Sequence, residues 1–232
     1  MSEQGERTTR SEWGQGAPAR ARVGGPRGEA PGKTSYVAFL RAINVGGHIV
    51  KMDALKKSFV RLGFKDVDTF IASGNVLFSS PVKDAAKLER QIEAQLKKDL
   101  GYEVATFIRT TDEVVALSAC QSFPPAEIAA ARVHYVGFVG EPLTEAGTSA
   151  LLGLATGLES FQARGREWFW LTRAAAGESK VSNGTIEKAL KVRSTVRGMN
   201  TIVRLAGRLQ LKADSSTPAG RAAKASRPTR KR

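Results

Sequence analysis

The stretch YVAFL at residues 36–40 recurs 99 residues later as YVGFV at residues 135–139, a short apolar run typical of a β-strand. Three further matches follow in the same order: FIASG at 70–74 with FQARG at 161–165, IEAQL at 92–96 with IEKAL at 186–190, and residues 104–117 with 192–205. Because four ordered matches are hard to obtain by chance, the sequence predicts two copies of one structural unit.

Hydrophobic periodicity and turn residues predict the same order of elements in both copies. The first copy is predicted to contain strand 35–42, helix 52–62, strands 67–72 and 75–80, helix 84–100, strand 103–109 and helix 111–120. The second is predicted to contain strands near 132–139, 158–164, 167–172 and 192–197, and helices near 142–152, 183–190 and 200–209. The predicted helix caps are Asp84, Thr110, and Ser182 or Asn183, with Gly101 as a helix stop. The order βαββαβ plus one helix predicts two ferredoxin-like α+β repeats with antiparallel sheets.

Composition divides the chain into four segments. Residues 1–33 are rich in Gly and Arg, also contain Pro and Ser, and are predicted to be a disordered extension. An alternative is that they are translated leader sequence upstream of a start near Thr34. Residues 34–123 form the first repeat, 124–212 the second, and 213–232 a disordered basic tail.

Charge indicates which partners the protein attracts. The 232 residues carry a net charge of +14, of which +2 lies in residues 1–33 and +5 in residues 213–232. The remaining +7 belongs to residues 34–212 and predicts attraction to polyanions such as nucleic acid. The C-terminal tail could contact phosphates, although a solvated tail explains its composition equally well.

Sequence patterns argue against a membrane protein, a metal site and a cofactor site. No apolar run is long enough to cross a bilayer or to act as a secretion signal, so we expect no membrane partner. The single cysteine, Cys120, makes a reducing cytoplasm the expected location. His48 and His134 have no ligands at metal-binding spacing, so no metal site is expected. Nucleotide-binding loop motifs are absent, and no cofactor is expected.

Differences between the copies point to function, because shared residues are needed for the scaffold. The largest difference follows the first strand, where the first copy reads RAINVGGH at 41–48 and the second reads GEPL at 140–143. Backbone amides at Gly46 and Gly47, with Asn44, Arg41 and Lys51 nearby, could surround a phosphate or carboxylate. Alternatively, the two glycines merely permit a tight connection between strand and helix.

A second difference is the segment GESKVSN at 177–183, where Lys180 and Ser182 precede a predicted helix and could form an anion site at its N-terminus. A capped helix preceded by a solvated lysine explains the segment equally well. The candidate ligand-binding residues from both differences and the neighbouring turns are Arg41, Asn44, Gly46, Gly47, Lys51, Ser73, Asn75, Lys180, Ser182, Arg197 and Asn200.

Four motifs resemble a bacterial protein family. They are LRAINVGG at 40–47, IASGNV at 71–76, SKVS at 179–182 and STVRGMNT at 194–201. In these motifs the chain resembles the family named domain of unknown function 1697, over about residues 34–212. The resemblance implies the family's fold and a cytoplasmic bacterial setting, and it implies no activity.

These observations support a binding module that holds an anionic ligand, phosphorylated or nucleic acid, in a cleft between the repeats. One alternative is an enzyme acting on a phosphorylated or nucleotide-like small molecule, with Lys180 and Arg41 stabilising charge. Another is an interaction scaffold that uses exposed sheet edges. The sequence leaves the catalytic residues and the oligomeric state open.

Overall fold

The computed structural model describes residues 32–43, 50–72, 74–175 and 177–216. Within these residues the first half forms β1 (Thr34–Leu40), α1 (Met52–Arg61), β2 (Lys65–Phe70), β3 (Asn75–Ser80), α2 (Ala85–Leu100), β4 (Thr106–Thr110) and α3 (Thr111–Ser118), and a short helix, α4 (Pro125–Ala130), leads from it to the next strand. The second half forms β5 (Val133–Phe138), α5 (Glu145–Leu152), β6 (Glu159–Arg164), β7 (Glu167–Thr172), α6 (Asn183–Leu190), β8 (Thr195–Gly198) and α7 (Met199–Ser216). In the part of the chain described, no helix is long and apolar enough to cross a membrane.

The strands form two antiparallel four-stranded sheets with the same order, β2-β3-β1-β4 and β6-β7-β5-β8. The strand registers also correspond, since Phe39 lies opposite Asn75 in the first sheet and Phe138 lies opposite Glu167 in the second. The predicted α+β fold is confirmed. The shared topology is consistent with two copies of a ferredoxin-like unit.

Alternation of side chains along the strands divides the core into three clusters. One face of the first sheet packs on α1 and α2, and one face of the second packs on α5 and α6. The other two faces pack against each other through Val37, Phe39, Phe107, Val136, Phe138 and Phe169. Helices α3 and α7 contact each other and add Val114, Leu117, Ile202 and Leu205 to this central cluster. The result is a helix–sheet–sheet–helix arrangement, and the central layer joins the two halves.

Local sequence signals account for where most elements begin and end. The Asp84 side chain accepts a hydrogen bond from the Lys87 amide at 3.0 Å, and α2 stops at Gly101 with φ of 80°. Thr110 and Glu113 form a capping box on α3, and Ser182 caps α6 through the Thr185 amide. These caps were predicted because their side chains satisfy amides that lack helical partners.

Some boundaries differ from the sequence prediction. Helix α5 begins at Glu145 rather than near 142, because Thr144 caps it by accepting from the Gly147 amide. Strands β4 and β8 begin at Thr106 and Thr195, each about three residues later than predicted. Helix α7 extends to Ser216, four residues into the predicted C-terminal tail. The rest of that tail and residues 1–31 lie outside the described residues.

Candidate functional site

Arg109 on β4 reaches from the first half into the second. Its guanidinium Nε donates to the Glu167 carboxylate, and Nη2 donates to the carbonyls of Val139 at 3.0 Å and Arg166 at 2.8 Å. The side chain is only 1% exposed. Arg109 is therefore a buried cation whose partners belong mainly to the other repeat.

Arg197 on β8 makes the reciprocal contacts from the second half into the first. Nε donates to Asn75 Oδ1 at 2.7 Å, and Nη2 donates to the carbonyls of Leu40 at 2.8 Å and Gly74 at 3.4 Å. Nη1 donates to Thr195 Oγ1 and the Val196 carbonyl. All five N–H groups of Arg197 thus have acceptors within the protein.

Two phenylalanines separate these arginines at the centre of the molecule. The rings of Phe39 and Phe138 stack with their centroids 4.0 Å apart. The guanidinium of Arg109 lies over Phe138 and that of Arg197 lies over Phe39. Each half therefore supplies one phenylalanine to the stack and one arginine that lies over the phenylalanine of the other half.

The electrostatic environments of the two arginines differ. Burial lowers the pKa of Arg109, and the ion pair with Glu167 opposes that shift. Arg197 has an amide, Asn75, where Arg109 has a carboxylate, and burial lowers the pKa of Arg197 to about 10. The charge on Arg197 is therefore not balanced by a hydrogen-bonded carboxylate in the described residues.

Arg41 also crosses between the halves. Its Nε donates to Glu187 Oε1 at 2.7 Å and its Nη2 donates to Glu187 Oε2 at 2.6 Å. The hydrogen bond with Glu187 raises the pKa of Arg41 above its ordinary value. Glu187 Oε1 also accepts from the Ser194 amide at 2.7 Å, which fixes the carboxylate against the edge of β8.

The corresponding position in the other half is an open cleft. Gly140 follows Val139 as Arg41 follows Leu40, and Glu93 Oε1 accepts from the Thr106 amide at 2.9 Å as Glu187 Oε1 accepts from Ser194. The cleft has a volume of about 500 Å³ and is lined by Gly140, Glu93 and residues of both halves. An arginine side chain thus occupies one of two equivalent positions, and a glycine leaves the other open.

A cluster of basic side chains lies where α7 of the second half crosses the first half. Asp68 on β2 pairs with Lys56 at 3.2 Å, with Lys212 at 2.9 Å and with Arg208. Burial alone would raise the pKa of Asp68, but hydrogen bonds from Lys212 and Lys56 lower it to about 2. One carboxylate is therefore shared among three cations.

Arg204 extends this cluster along α7. The guanidinium groups of Arg204 and Arg208 both lie 5.8 Å from the centroid of the Phe70 ring. Arg204, Arg208 and Lys212 recur every four residues, so they share one face of the helix over about 12 Å. We call Lys56, Arg204, Arg208 and Lys212 the basic stripe.

The predicted site residues are only partly brought together. Arg41, Asn75 and Arg197 lie at the junction of the halves, where Arg197 contacts Asn75 and the Leu40 carbonyl beside Arg41. Asn200 is exposed at the start of α7, four residues before Arg204. Asn44, Gly46, Gly47 and Ser73 lie outside the described residues.

The remaining candidates lie elsewhere in the fold. Lys51 is exposed at the N-cap position of α1 without a side-chain capping bond. Ser182 uses its hydroxyl to cap α6. Lys180 is exposed, and in the ranges described no hydrogen bond or ion pair links it to Arg41, Asn75 or Arg197. These three residues remain predictions as ligand-binding groups.

The basic stripe was not identified from the sequence. The i, i+4 spacing of Arg204, Arg208 and Lys212 was a readable signal, because it places three cations on one helix face. The convergence of these residues on Asp68, about 140 positions earlier in the chain, could not be inferred from spacing alone.

His134 has a structural environment. Its Nε2 lies 3.0 Å from Ser122 Oγ, and the Phe123 ring packs edge-on against the imidazole. Burial lowers the pKa of His134. Among the described residues, no group of three or more His, Cys, Asp or Glu side chains could hold a metal ion.

Comparisons with known proteins identify relatives of this chain. The family model described as "Protein of unknown function (DUF1697)" matches residues 33–169. The structure of the conserved bacterial protein SP0830 from Streptococcus pneumoniae is similar, with a TM-score of 0.59 and 23% sequence identity. The similarity covers 76% of this chain and 99% of that chain, and at this identity it concerns the fold alone. No curated relative matches the chain.

Proposed function

The chain belongs to the DUF1697 family of proteins of unknown function, and from its geometry we propose that it binds an anionic ligand at the junction of its two halves. The ligand class is the phosphate backbone of a nucleic acid. The basic stripe is the contact surface.

The single observation that carries this proposal is the charge imbalance around Asp68. Three cations, Lys56, Arg208 and Lys212, pair with this one carboxylate, and a fourth, Arg204, lies over the neighbouring Phe70 ring together with Arg208. Like charges held together repel each other, and an anion relieves that repulsion. A surface that concentrates positive charge in this way favours phosphate groups.

The dimensions of the stripe suit a polymer better than a single phosphate. Arg204 to Lys212 spans about 12 Å along α7, whereas double-stranded DNA carries one charge per about 1.7 Å of its axis. Several phosphates can therefore face the stripe together. Such contacts are independent of base sequence.

The stripe is continuous with part of the site predicted from sequence. Asn200 lies one helical turn before Arg204 on α7, and Arg197 lies at the end of β8, immediately before the helix. Since Arg197 has no free N–H group, it contributes positive potential rather than a direct hydrogen bond.

Replacing both Arg204 and Arg208 with alanine is expected to weaken nucleic-acid binding. Fluorescence anisotropy with a labelled oligonucleotide, single- or double-stranded, would measure affinity between about 50 and 200 mM salt. Loss of two phosphate contacts should reduce the slope of log affinity against log salt by about 1.4 to 1.8. The matched control is Lys188→Ala, an exposed lysine on α6, which should leave the slope unchanged. Equal slopes for wild type and the double variant would overturn the proposal.

Replacing Asp68 with asparagine is expected to strengthen nucleic-acid binding. The substitution removes the carboxylate that Lys56, Arg208 and Lys212 share, so the combined net charge of the stripe and position 68 rises by one. One charge a few ångströms away is worth about 1 kcal/mol in water, or about fivefold in affinity. The same anisotropy assay would measure this gain. Weaker binding by Asp68→Asn would show that the stripe is a structural ion cluster.

The effect of Asp68→Asn on thermal stability is expected to depend on pH. The pKa of Asp68 is lowered to about 2 in the folded protein, while an unfolded aspartate has a pKa of about 3.9. The carboxylate therefore stabilises the fold above about pH 4, and this contribution is lost as the pH falls toward 2. The difference in Tm between wild type and Asp68→Asn should shrink over that window. A difference independent of pH would contradict the assigned ion pairs.

A further inference from the structure

We propose that the open cleft at Gly140 binds a guanidinium group, which takes the place that the Arg41 side chain occupies at the equivalent position. This site is separate from the basic stripe and does not depend on nucleic-acid binding. It follows from comparing the two halves of one chain.

The occupied position shows what the scaffold binds. Glu187 holds the guanidinium of Arg41 through two hydrogen bonds, from Nε at 2.7 Å and from Nη2 at 2.6 Å. Ser194 donates its amide to the same carboxylate and fixes its orientation. A planar guanidinium matches a carboxylate in this two-point geometry, and an ammonium group does not.

The open cleft repeats the acceptor without the arginine. Glu93 is fixed by the Thr106 amide at 2.9 Å, as Glu187 is by Ser194. Among the described residues, the ion pair recorded for the second oxygen of Glu93 is with Arg193, at 3.7 Å, and the Arg193 side chain is 61% exposed. This single long contact is weaker than a two-point pair, so an incoming guanidinium can replace it.

Space is available where the arginine is missing. A Cβ added to Gly140 meets no atom within 4 Å, and the cleft beside Gly140 has a volume of about 500 Å³. Small-molecule sites typically occupy about 300 to 1,000 Å³. Glu89 and Glu141 also line the cleft, and Arg90 lies with Arg193 among its lining residues, so the walls carry both signs of charge.

Isothermal titration calorimetry with L-argininamide tests the proposal on the full chain. We expect one site per chain for L-argininamide and binding at least about tenfold weaker for L-lysinamide, which lacks the two-point geometry. Glu93→Gln should weaken L-argininamide binding by about tenfold or more while keeping the oxygen that accepts from Thr106. Gly140→Arg should abolish binding by placing the protein's own guanidinium in the cleft.

The matched control is Glu187→Gln at the occupied position, which should bind L-argininamide like the wild type. A blocked Gly-Arg-Gly peptide is the second probe. Tighter binding of the peptide than of L-argininamide would assign the guanidinium to an arginine of a partner polypeptide, and the reverse would assign it to a small molecule. If neither probe binds at about 10 mM, the proposal is wrong. It is also wrong if folded Glu93→Gln binds as the wild type does, a result that would leave the nucleic-acid proposal unaffected.

Discussion

Replacing Arg109 with methionine is expected to destabilise the folded protein by about 3 to 5 kcal/mol. Methionine fills similar volume but leaves the Glu167 carboxylate without its partner, and the carbonyls of Val139 and Arg166 lose a donor. Removing one member of a buried ion pair is costly because the other charge stays desolvated. Urea denaturation followed by tryptophan fluorescence would measure the change in the free energy of unfolding.

Arg197→Met provides a graded comparison. It leaves only neutral acceptors behind, on Asn75, Leu40 and Gly74, so we expect a smaller loss of about 1 to 3 kcal/mol. Arg132→Met at an exposed arginine should change stability by less than about 0.5 kcal/mol. If Arg109→Met costs no more than Arg132→Met, the contacts between the halves do not stabilise the fold as described.

Replacing Gly137 with alanine is expected to destabilise the protein by about 3 kcal/mol through overpacking. Gly137 lies opposite Trp168, which is fully buried, and an added Cβ would lie 1.9 Å from Cε2 of the indole. In the first half the equivalent pair is Ala38 opposite Val76, where the smaller valine leaves room for a methyl group. The same chemical denaturation assay applies.

Two further variants distinguish a clash with Trp168 from a general effect of adding a methyl group. In a Trp168→Val background, which copies the first half, Gly137→Ala should cost less than about 1 kcal/mol. Gly207→Ala on α7 has open space and should raise stability by up to about 1 kcal/mol. An equal cost of Gly137→Ala with and without the indole would refute the steric explanation.

The fold was largely predictable because its determinants are local. Alternating strands, cap residues such as Asp84 and Thr110, and a helix stop at Gly101 each act over a few positions. The sequence match that aligned Arg109 with Arg197 was also correct for the strand registers. The sequence match could not indicate that each arginine donates to acceptors in the other half, because those contacts depend on how the two sheets pack.

The candidate site was predictable only where one repeat differs from the other. The contrast between Arg41 and Gly140 in the sequence corresponds to a real structural difference: an arginine side chain fills one position, and the equivalent position is an open cleft. Arg41 itself, however, forms an ion pair with Glu187 within the protein. The basic stripe depends on Asp68, which comes from β2 of the first half, whereas Arg208 comes from α7. Residues this far apart in sequence meet only through tertiary packing, so their contact could not be predicted from short-range spacing.

The central claim is that Arg109 and Arg197 each donate hydrogen bonds to acceptors in the opposite half. NMR of arginine Nε–H groups at neutral pH tests it most directly. Two signals, assigned with Arg109→Lys and Arg197→Lys, should exchange with solvent far more slowly than those of exposed arginines. Asn75→Leu should shift or broaden only the Arg197 signal, since Asn75 lies in the first half and accepts from Arg197 Nε. Rapid exchange of both signals, or an Arg197 signal unchanged by Asn75→Leu, would contradict the reciprocal contacts between the repeats.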